Sequence, residues 1–214
     1  MTRFVWTTAA ILVALSLRGD AHQLDEYLQA TRIVAAAHAL AVEISLTPGV
    51  AVASRVFASI DRDGDGMVSA AEIDSYARRV LKDVVISVDG QPVEMTLARA
   101  ECPPWQEIHD GAGTIHIEAS MARAMSPGRH QLRLLNHHQP DFSVYLVNAL
   151  LPSDPAITIA AQRRDPLQHG IELDVDVAAS YQARLWSIAI FGAFAALAIH
   201  RVSRLDAPKT FSSS

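Results

Sequence analysis

The stretch IELDVDV, residues 171–177, alternates apolar and acidic side chains without a break. A period of two places the apolar side chains on one face of a β-strand and the acidic ones on the other. Such a strand is half-buried, and it needs neighbouring strands to cover its apolar face. Those neighbours are expected among other segments of the chain that have the same pattern.

Eight further segments alternate in this way or form a short apolar run between turn residues. They are residues 22–34, 40–46, 84–88, 93–97, 115–119, 132–134, 142–151 and 157–161. The dipeptide Asp89-Gly90 is a strong two-residue hairpin signal between the third and fourth segments. The nearly all-apolar segment 142–151 is typical of a central strand. The pattern predicts a mainly β fold, closed as an antiparallel Ig-like β-sandwich over residues 22–180.

A helical pair is predicted as an insertion between these strands, at residues 47–83. Thr47 is expected as the N-cap of the first helix and Pro48 as its first helical residue. Apolar residues recur at helical spacing on both sides of a central loop. They are Val52, Val56, Phe57 and Ile60 in the first helix, and Ile73, Tyr76, Ala77, Val80 and Leu81 in the second.

The loop between the helices, DRDGDGMVSAAE, residues 61–72, has the spacing of an EF-hand calcium loop. Calcium prefers oxygen ligands, and Gly66 stands where the loop must turn sharply. Carboxylates occupy the first, third, fifth and last ligand positions, with a backbone carbonyl and a hydroxyl between them. The predicted ligands are Asp61, Asp63, Asp65, Met67, Ser69 and Glu72. The sequence therefore predicts one Ca²⁺ site.

An acidic surface turn is the alternative for this loop. Four carboxylates held together without a cation would repel one another, which favours the calcium interpretation. EF-hands commonly pair through the eighth loop residue, here Val68. Because the chain has a single such loop, Val68 must pack on the β domain, on another copy of the chain, or on nothing. Calcium outside the cytoplasm is concentrated enough for a weak site, so a structural ion is expected rather than a sensor.

Both ends of the chain carry apolar segments. Residues 1–21 have a basic start, an apolar centre and small residues at the end, as in a signal peptide; an uncleaved anchor is the alternative. Residues 185–200 are predicted to be a transmembrane helix with aromatic and basic flanks, although a span usually needs about 20 residues. An apolar helix docked on the domain is the alternative there. The basic tail, 201–214, is expected in the cytoplasm, which leaves the main domain in the periplasm or outside the inner membrane.

Composition excludes some classes of function. The chain has 18 Lys and Arg against 23 Asp and Glu, a formal charge of −5. With no basic stripe, a nucleic-acid partner is not expected. Cys102 is the only cysteine, so an intramolecular disulfide and a cysteine zinc cluster are both excluded. Its thiol is expected to be a small buried apolar group.

Nine histidines raise the alternative of a copper or nickel site. His22 would become the mature N-terminus and offer an amine and an imidazole to one ion. His116 and His130 have no fixed ligand spacing, and adjacent His137 and His138 would point to opposite faces of a strand. These histidines are therefore interpreted as exposed loop residues.

An enzyme is not expected. The chain contains no nucleophile elbow, no glycine-rich phosphate loop and no HExxH motif. Asp174 and Asp176 share a strand face, but they are interpreted as surface carboxylates. A cavity that gathered His116 with either of them would favour the opposite conclusion.

The arrangement of three stretches resembles a known kind of protein. The stretch AHQLDEYLQAT (21–31) is followed by the acidic loop 61–72 and then by NHHQPDFSVYLVNALLPSDPAI (136–157). This resembles exported EF-hand-containing bacterial proteins of unknown role. It also resembles the extracytoplasmic N-terminal domain of hydrogenase/urease-accessory-type membrane proteins, which are linked to nickel or cobalt uptake. The resemblance covers residues 22 to about 180, and only the calcium ligands carry over residue by residue.

The chain departs from that family pattern because it has one predicted membrane span instead of several, so it is not expected to be a permease. The resulting prediction is a calcium-binding, membrane-anchored exported protein that acts as a binding or accessory module. Its expected partners are the calcium ion, the cytoplasmic membrane and a membrane protein.

Overall fold

The computed structural model describes residues 25–179. This part of the protein is mainly β, with ten strands and three helices. The strands are β1 (Tyr27–Ala35), β2 (Ala39–Pro48), β3 (Val84–Val88), β4 (Gln91–Pro92), β5 (Thr96–Glu101), β6 (Ile115–Ala122), β7 (Gly128–Asn136), β8 (Ser143–Ala149), β9 (Ile157–Arg164) and β10 (Gly170–Val177). The helices are α1 (Val50–Ile60), α2 (Ala70–Lys82) and α3 (Trp105–His109).

The strands form two five-stranded sheets. The first has the order β5-β6-β2-β1-β8, and the second has the order β4-β3-β7-β10-β9. Every pairing is antiparallel except that of β8, which lies parallel to β1. The mainly β prediction with antiparallel sheets is confirmed, and the arrangement is consistent with a β-sandwich.

One hydrophobic core joins the two sheets to α2. Ile44 and Ile117 of the first sheet share it with Leu134 and Leu173 of the second and with Val80 of α2. None of these five side chains is more than 1% exposed. Full burial of one such side chain stabilises the fold by about 1.5–3 kcal/mol. The alternating strand pattern arises because each strand gives one face to this core.

The first helix begins later than the sequence predicted. Pro48 belongs to β2, and α1 begins at Val50 with Gly49 as its N-cap. Thr47 is not a cap, because it pairs with Leu28 of β1 and its Oγ1 lies 2.9 Å from Oγ1 of Thr114. Cross-strand pairing therefore overrides the local capping signal at this junction.

The hairpin at Asp89-Gly90 exists, but its second arm is short. Both residues have positive φ, 52° and 75°, as a type I′ turn requires. The returning strand contains only Gln91–Pro92, and proline has no N–H to extend the ladder. The chain then crosses to the first sheet, where β5 pairs with β6. The prediction of one strand over residues 93–97 is therefore wrong.

The apolar segment predicted as a central strand is an edge strand. Within residues 142–151, β8 spans Ser143–Ala149 and ends the first sheet beside β1. Its outward side chains Val144 and Leu146 are 40% and 41% exposed. The apolar run of β8 therefore arises because its outward face is also apolar and partly exposed. It does not mean that the strand is buried on both faces.

Within residues 25–179, none of the helices is long and apolar enough to cross a membrane. The predicted signal peptide (1–21), transmembrane helix (185–200) and cytoplasmic tail (201–214) lie outside the described residues, as does His22.

Candidate metal centre

The acidic loop 61–72 connects α1 to α2. Asp61 follows the last residue of α1, and its N–H still donates to the carbonyl of Phe57 at 2.9 Å. Ser69 is the N-cap of α2, so the loop has a helix at both ends. Both helices turn apolar residues inward, with Ile60 and Ile73 buried on either side of the loop. The ends of the loop are therefore held by the core.

Three predicted ligands are brought together in space. One carboxylate oxygen from each of Asp61, Asp63 and Asp65 lies within 4.8 Å of the others. Asp61 also accepts hydrogen bonds from the N–H groups of Gly64 and Gly66, at 2.8 and 2.9 Å. These bonds fold the backbone around the Asp61 carboxylate. Asp63 and Asp65 form Asx turns, because their carboxylates accept from the N–H groups two residues further on. Such turns are compatible with a metal site but do not require one.

Two glycines allow the loop to turn. Gly64 and Gly66 have φ of +75° and +82°, in the left-handed region that residues with a Cβ avoid. Space is not the constraint, because a Cβ built at either position meets no atom within 4 Å. The EF-hand spacing predicts Gly66 but makes no demand at Gly64, where the backbone needs glycine for the same reason.

Glu72 closes the loop across its ends. Its Oε1 accepts a hydrogen bond from the N–H of Arg62 at 2.6 Å, and its Oε2 accepts from the Ser69 hydroxyl at 2.8 Å. Ser69 and Glu72 form a capping box at the start of α2. The bonds from Ser69, followed by the one from Arg62, lower the pKa of Glu72 to about 2. Glu72 does not belong to the three-aspartate group.

The other two predicted ligands, Met67 and Ser69, could each give an ion at most one oxygen atom. The Met67 side chain is 72% exposed, so only its backbone carbonyl could face an ion. The Ser69 hydroxyl points to Glu72 at 2.8 Å. The full set of donors is nevertheless all oxygen, with four carboxylates. Such a set suits a hard cation such as Ca²⁺ better than copper or nickel. The residues present therefore fit calcium.

Val68 packs on the chain's own core. It contacts both hydrophobic clusters, as does Cys102. The smaller cluster joins α1 to α3, where the Phe57 and Trp105 rings lie 4.7 Å apart between centroids. Thus the β domain and α3 cover the position through which EF-hand loops commonly pair. Sequence periodicity does not predict α3, because a helix of five residues is too short to show a periodic signal.

Cys102 is half-buried, close to the expected state. Desolvation raises the pKa of its thiol to about 11, so the sulfur stays protonated at neutral pH.

The two strand carboxylates lie on the surface, as the sequence predicts. Asp174 accepts two hydrogen bonds from Arg163, and Asp176 accepts two from Arg129. These ion pairs lie on the exposed face of the second sheet.

The prediction that the internal histidines lie in exposed loops is wrong for His138, which is 3% exposed. Its Nδ1 lies 2.8 Å from Oδ2 of Asp83, and its Nε2 lies 3.2 Å from the hydroxyl of Tyr76. The prediction is also wrong for His116 and His130, which lie on strands β6 and β7; His130 bonds to Asp89 at 2.7 Å. Among residues 25–179, the three aspartates are the only such group of metal-ligating side chains. No periodic or spacing signal marks His138 as a core residue.

Comparison with known proteins gives no relative, because no protein-family model, curated protein or solved structure matches the chain. The resemblance to metal-uptake accessory domains remains a prediction.

Proposed function

We propose that the protein binds one Ca²⁺ in the loop 61–72, which would act as an EF-hand carried by an Ig-like β-sandwich. The observation that carries the proposal is the convergence of Asp61, Asp63 and Asp65, whose oxygens lie within 4.8 Å of one another. Glu72 bonds to the first residues of the same loop. A divalent cation would neutralise charge that the backbone N–H groups only partly offset.

Calcium would have a structural role. The loop joins α1 to α2, and α2 contributes five buried residues to the fold. Arg79 of α2 also donates to the Ser59 carbonyl of α1 at 2.6 Å. An ion that ties Asp61 to Glu72 would therefore hold the two helices in one arrangement. Since Val68 packs inside the chain, the site needs no second EF-hand to cover it.

The proposed setting is the outer side of the bacterial cytoplasmic membrane. A signal peptide at residues 1–21 and a transmembrane helix at 185–200 would export the domain and anchor it. Calcium at extracytoplasmic concentrations would then fill even a weak site. The protein would act as a binding or accessory module for a membrane partner, and not as an enzyme.

A copper- or nickel-binding accessory role is the second candidate. It depends on His22, which lies outside the described residues. Among residues 25–179, no histidine belongs to a group of three or more metal-ligating side chains. His138 and His130 also use both ring nitrogens in hydrogen bonds. Blocking the N-terminal amine would abolish copper binding through His22 and leave calcium binding intact.

The test is calorimetric titration of calcium into the purified full-length chain. Wild type should show one saturable site, which Asp61→Ala and Glu72→Gln should each weaken strongly. Asp74→Asn is the matched control, because Asp74 is an exposed carboxylate of α2 outside the loop. Glutamine at 72 keeps the capping ability of the side chain while removing its charge. Absence of heat at millimolar calcium, or equal binding by all variants, would overturn the proposal.

A further inference from the structure

A chain of hydrogen-bonded side chains connects α2 to β1 and to the segment between β7 and β8; three of them are buried, and the fourth, Asp83, is exposed. The hydroxyls of Tyr27 and Tyr76 lie 2.6 Å apart, and the Tyr76 hydroxyl lies 3.2 Å from Nε2 of His138. Nδ1 of His138 lies 2.8 Å from a carboxylate oxygen of Asp83. Tyr27, Tyr76 and His138 are each no more than 3% exposed. These four side chains are called the His138 chain below.

The carboxylate at one end determines the direction of these hydrogen bonds. A carboxylate can only accept, so Nδ1 of His138 carries the hydrogen and donates it to Asp83. Nε2 is then an acceptor for the Tyr76 hydroxyl, which in turn accepts from Tyr27. Burial raises the pKa of Tyr76 to about 12 and also raises the pKa of Tyr27 well above its ordinary value. Both tyrosines therefore keep their protons at physiological pH.

The surroundings of His138 hold it in place and disfavour a positive charge. Its carbonyl accepts from Gln29 and from the Tyr145 hydroxyl, both at 2.7 Å, and its N–H donates to Asn136 at 2.9 Å. Burial lowers the pKa of the imidazole, and the nearby Arg79 guanidinium lowers it further, while Asp83 acts in the opposite direction. Neutral imidazole is thus the form that fits this site.

The His138 chain shares helix α2 with the acidic loop. Glu72 lies in the first turn of α2, Tyr76 follows one turn later, and Asp83 is the C-cap. Residues four apart lie on the same helix face. A displacement of the Tyr76 turn would therefore move the Glu72 turn with it, away from the three aspartates.

Protonation of Nε2 would reverse the hydrogen bonds. Nε2–H would donate to Tyr76, and the Tyr76 proton would turn toward Tyr27. Within residues 25–179, Tyr76 is the one hydrogen-bond partner of the Tyr27 hydroxyl, so the Tyr27 proton would lose its acceptor. A buried donor without an acceptor is costly, and movement of α2 away from the sheets would relieve this cost.

We infer that the acidic loop and His138 are linked through α2, so that protonation of His138 weakens calcium binding and bound calcium opposes protonation of His138. The inference rests on the proposed calcium site and adds its regulation by pH. Linkage of this kind is reciprocal, so it can be measured from either end.

The first measurement is calcium titration of the full-length chain at about pH 7.5 and about pH 5, the lower value being chosen because burial lowers the pKa of His138 below the ordinary histidine value. In wild type, affinity should fall about fivefold or more over this interval. His138→Gln cannot take up the proton, and its affinity should fall much less. His116→Gln, which removes an exposed histidine, should behave like wild type.

The second measurement needs no variant, which matters if His138→Gln fails to fold. The pH titration of the His138 ring resonance is followed by NMR with and without saturating calcium, and its midpoint should be lower with calcium. Coincident midpoints, or equal pH dependence in wild type and His138→Gln, would overturn the linkage while leaving calcium binding intact. Absence of calcium binding at about pH 7.5 would overturn the proposed function, and the linkage with it.

Discussion

Oε1 of Glu72 accepts a hydrogen bond from the backbone N–H of Arg62 at 2.6 Å, which joins the last residue of the acidic loop to its second. This contact brings the Glu72 carboxylate, in the first turn of α2, next to the residues that follow the end of α1. An ion bound between them would hold both helices, and this relationship leads to the first prediction.

Calcium should raise the melting temperature of the full-length chain. A ligand that binds only the folded state stabilises it by about 2.7 kcal/mol when its free concentration is 100 times Kd. Differential scanning calorimetry with excess calcium and with a chelator measures the difference. Asp61→Ala should remove it, whereas Asp74→Asn should retain it. An unchanged melting temperature at saturating calcium would contradict a structural ion.

Gly66→Ala should destabilise the loop through its backbone alone. The left-handed conformation costs a residue with a Cβ about 1–2 kcal/mol, and Gly66 has φ of +82°. Gly66→Asn should cost less, because asparagine adopts this conformation more readily. Chemical denaturation in the absence of calcium separates this backbone effect from metal binding. Equal stability of the alanine variant and wild type would contradict the prediction.

Two neighbouring residues of β3 should differ sharply in their contribution to stability. Ile86 is 2% exposed, whereas Val85 is 50% exposed on the other face of the strand. Truncating a buried isoleucine to alanine costs about 2–5 kcal/mol, and surface substitutions usually stay within about 0.5 kcal/mol. Urea denaturation of Ile86→Ala and Val85→Ala compares them. Similar losses in the two variants would argue against the register of the second sheet.

The ion pair between Asp89 and His130 should stabilise the fold in a limited pH window. Its side chains lie 2.7 Å apart, with the carboxylate 46% exposed. The hydrogen bond with His130 lowers the pKa of Asp89, and the same bond raises the pKa of His130. The histidine contribution is complete below about pH 6.5 and is lost as pH rises through its raised folded-state pKa. The aspartate contribution is complete above about pH 3.9 and is lost as pH falls through its lowered folded-state pKa.

Asp89→Asn tests this window, since asparagine tolerates the positive φ of the hairpin turn. The free energy of unfolding should differ most between wild type and variant near about pH 5–6, and less above about pH 8. Because the carboxylate is partly exposed, the pair should contribute no more than about 1 kcal/mol. A difference that grows steadily toward alkaline pH would contradict the assignment.

The sequence alone predicted most strands because each gives one face to a common core, which imposes a local period of two. Residues 171–177 are the clearest example, and β10 spans Gly170–Val177. The spacing of residues in the acidic loop also predicted the three aspartates whose carboxylates lie close together in the structure. That a calcium ion binds there remains a prediction, since spacing describes the ligands and not the occupant.

Tertiary structure decided which strands meet. Residues 93–97 carry an ordinary strand pattern, yet the chain changes sheets there because Pro92 ends the short ladder. Thr47 carries an ordinary capping signal, yet it pairs in β2. At Thr47, non-local backbone pairing outweighed a local preference. The burial of His138 has the same origin, because Gln29, Tyr76 and Asp83 reach it from distant parts of the chain. Local periodicity can show that a residue belongs to a strand or helix, but only the packing of distant segments determines what surrounds it.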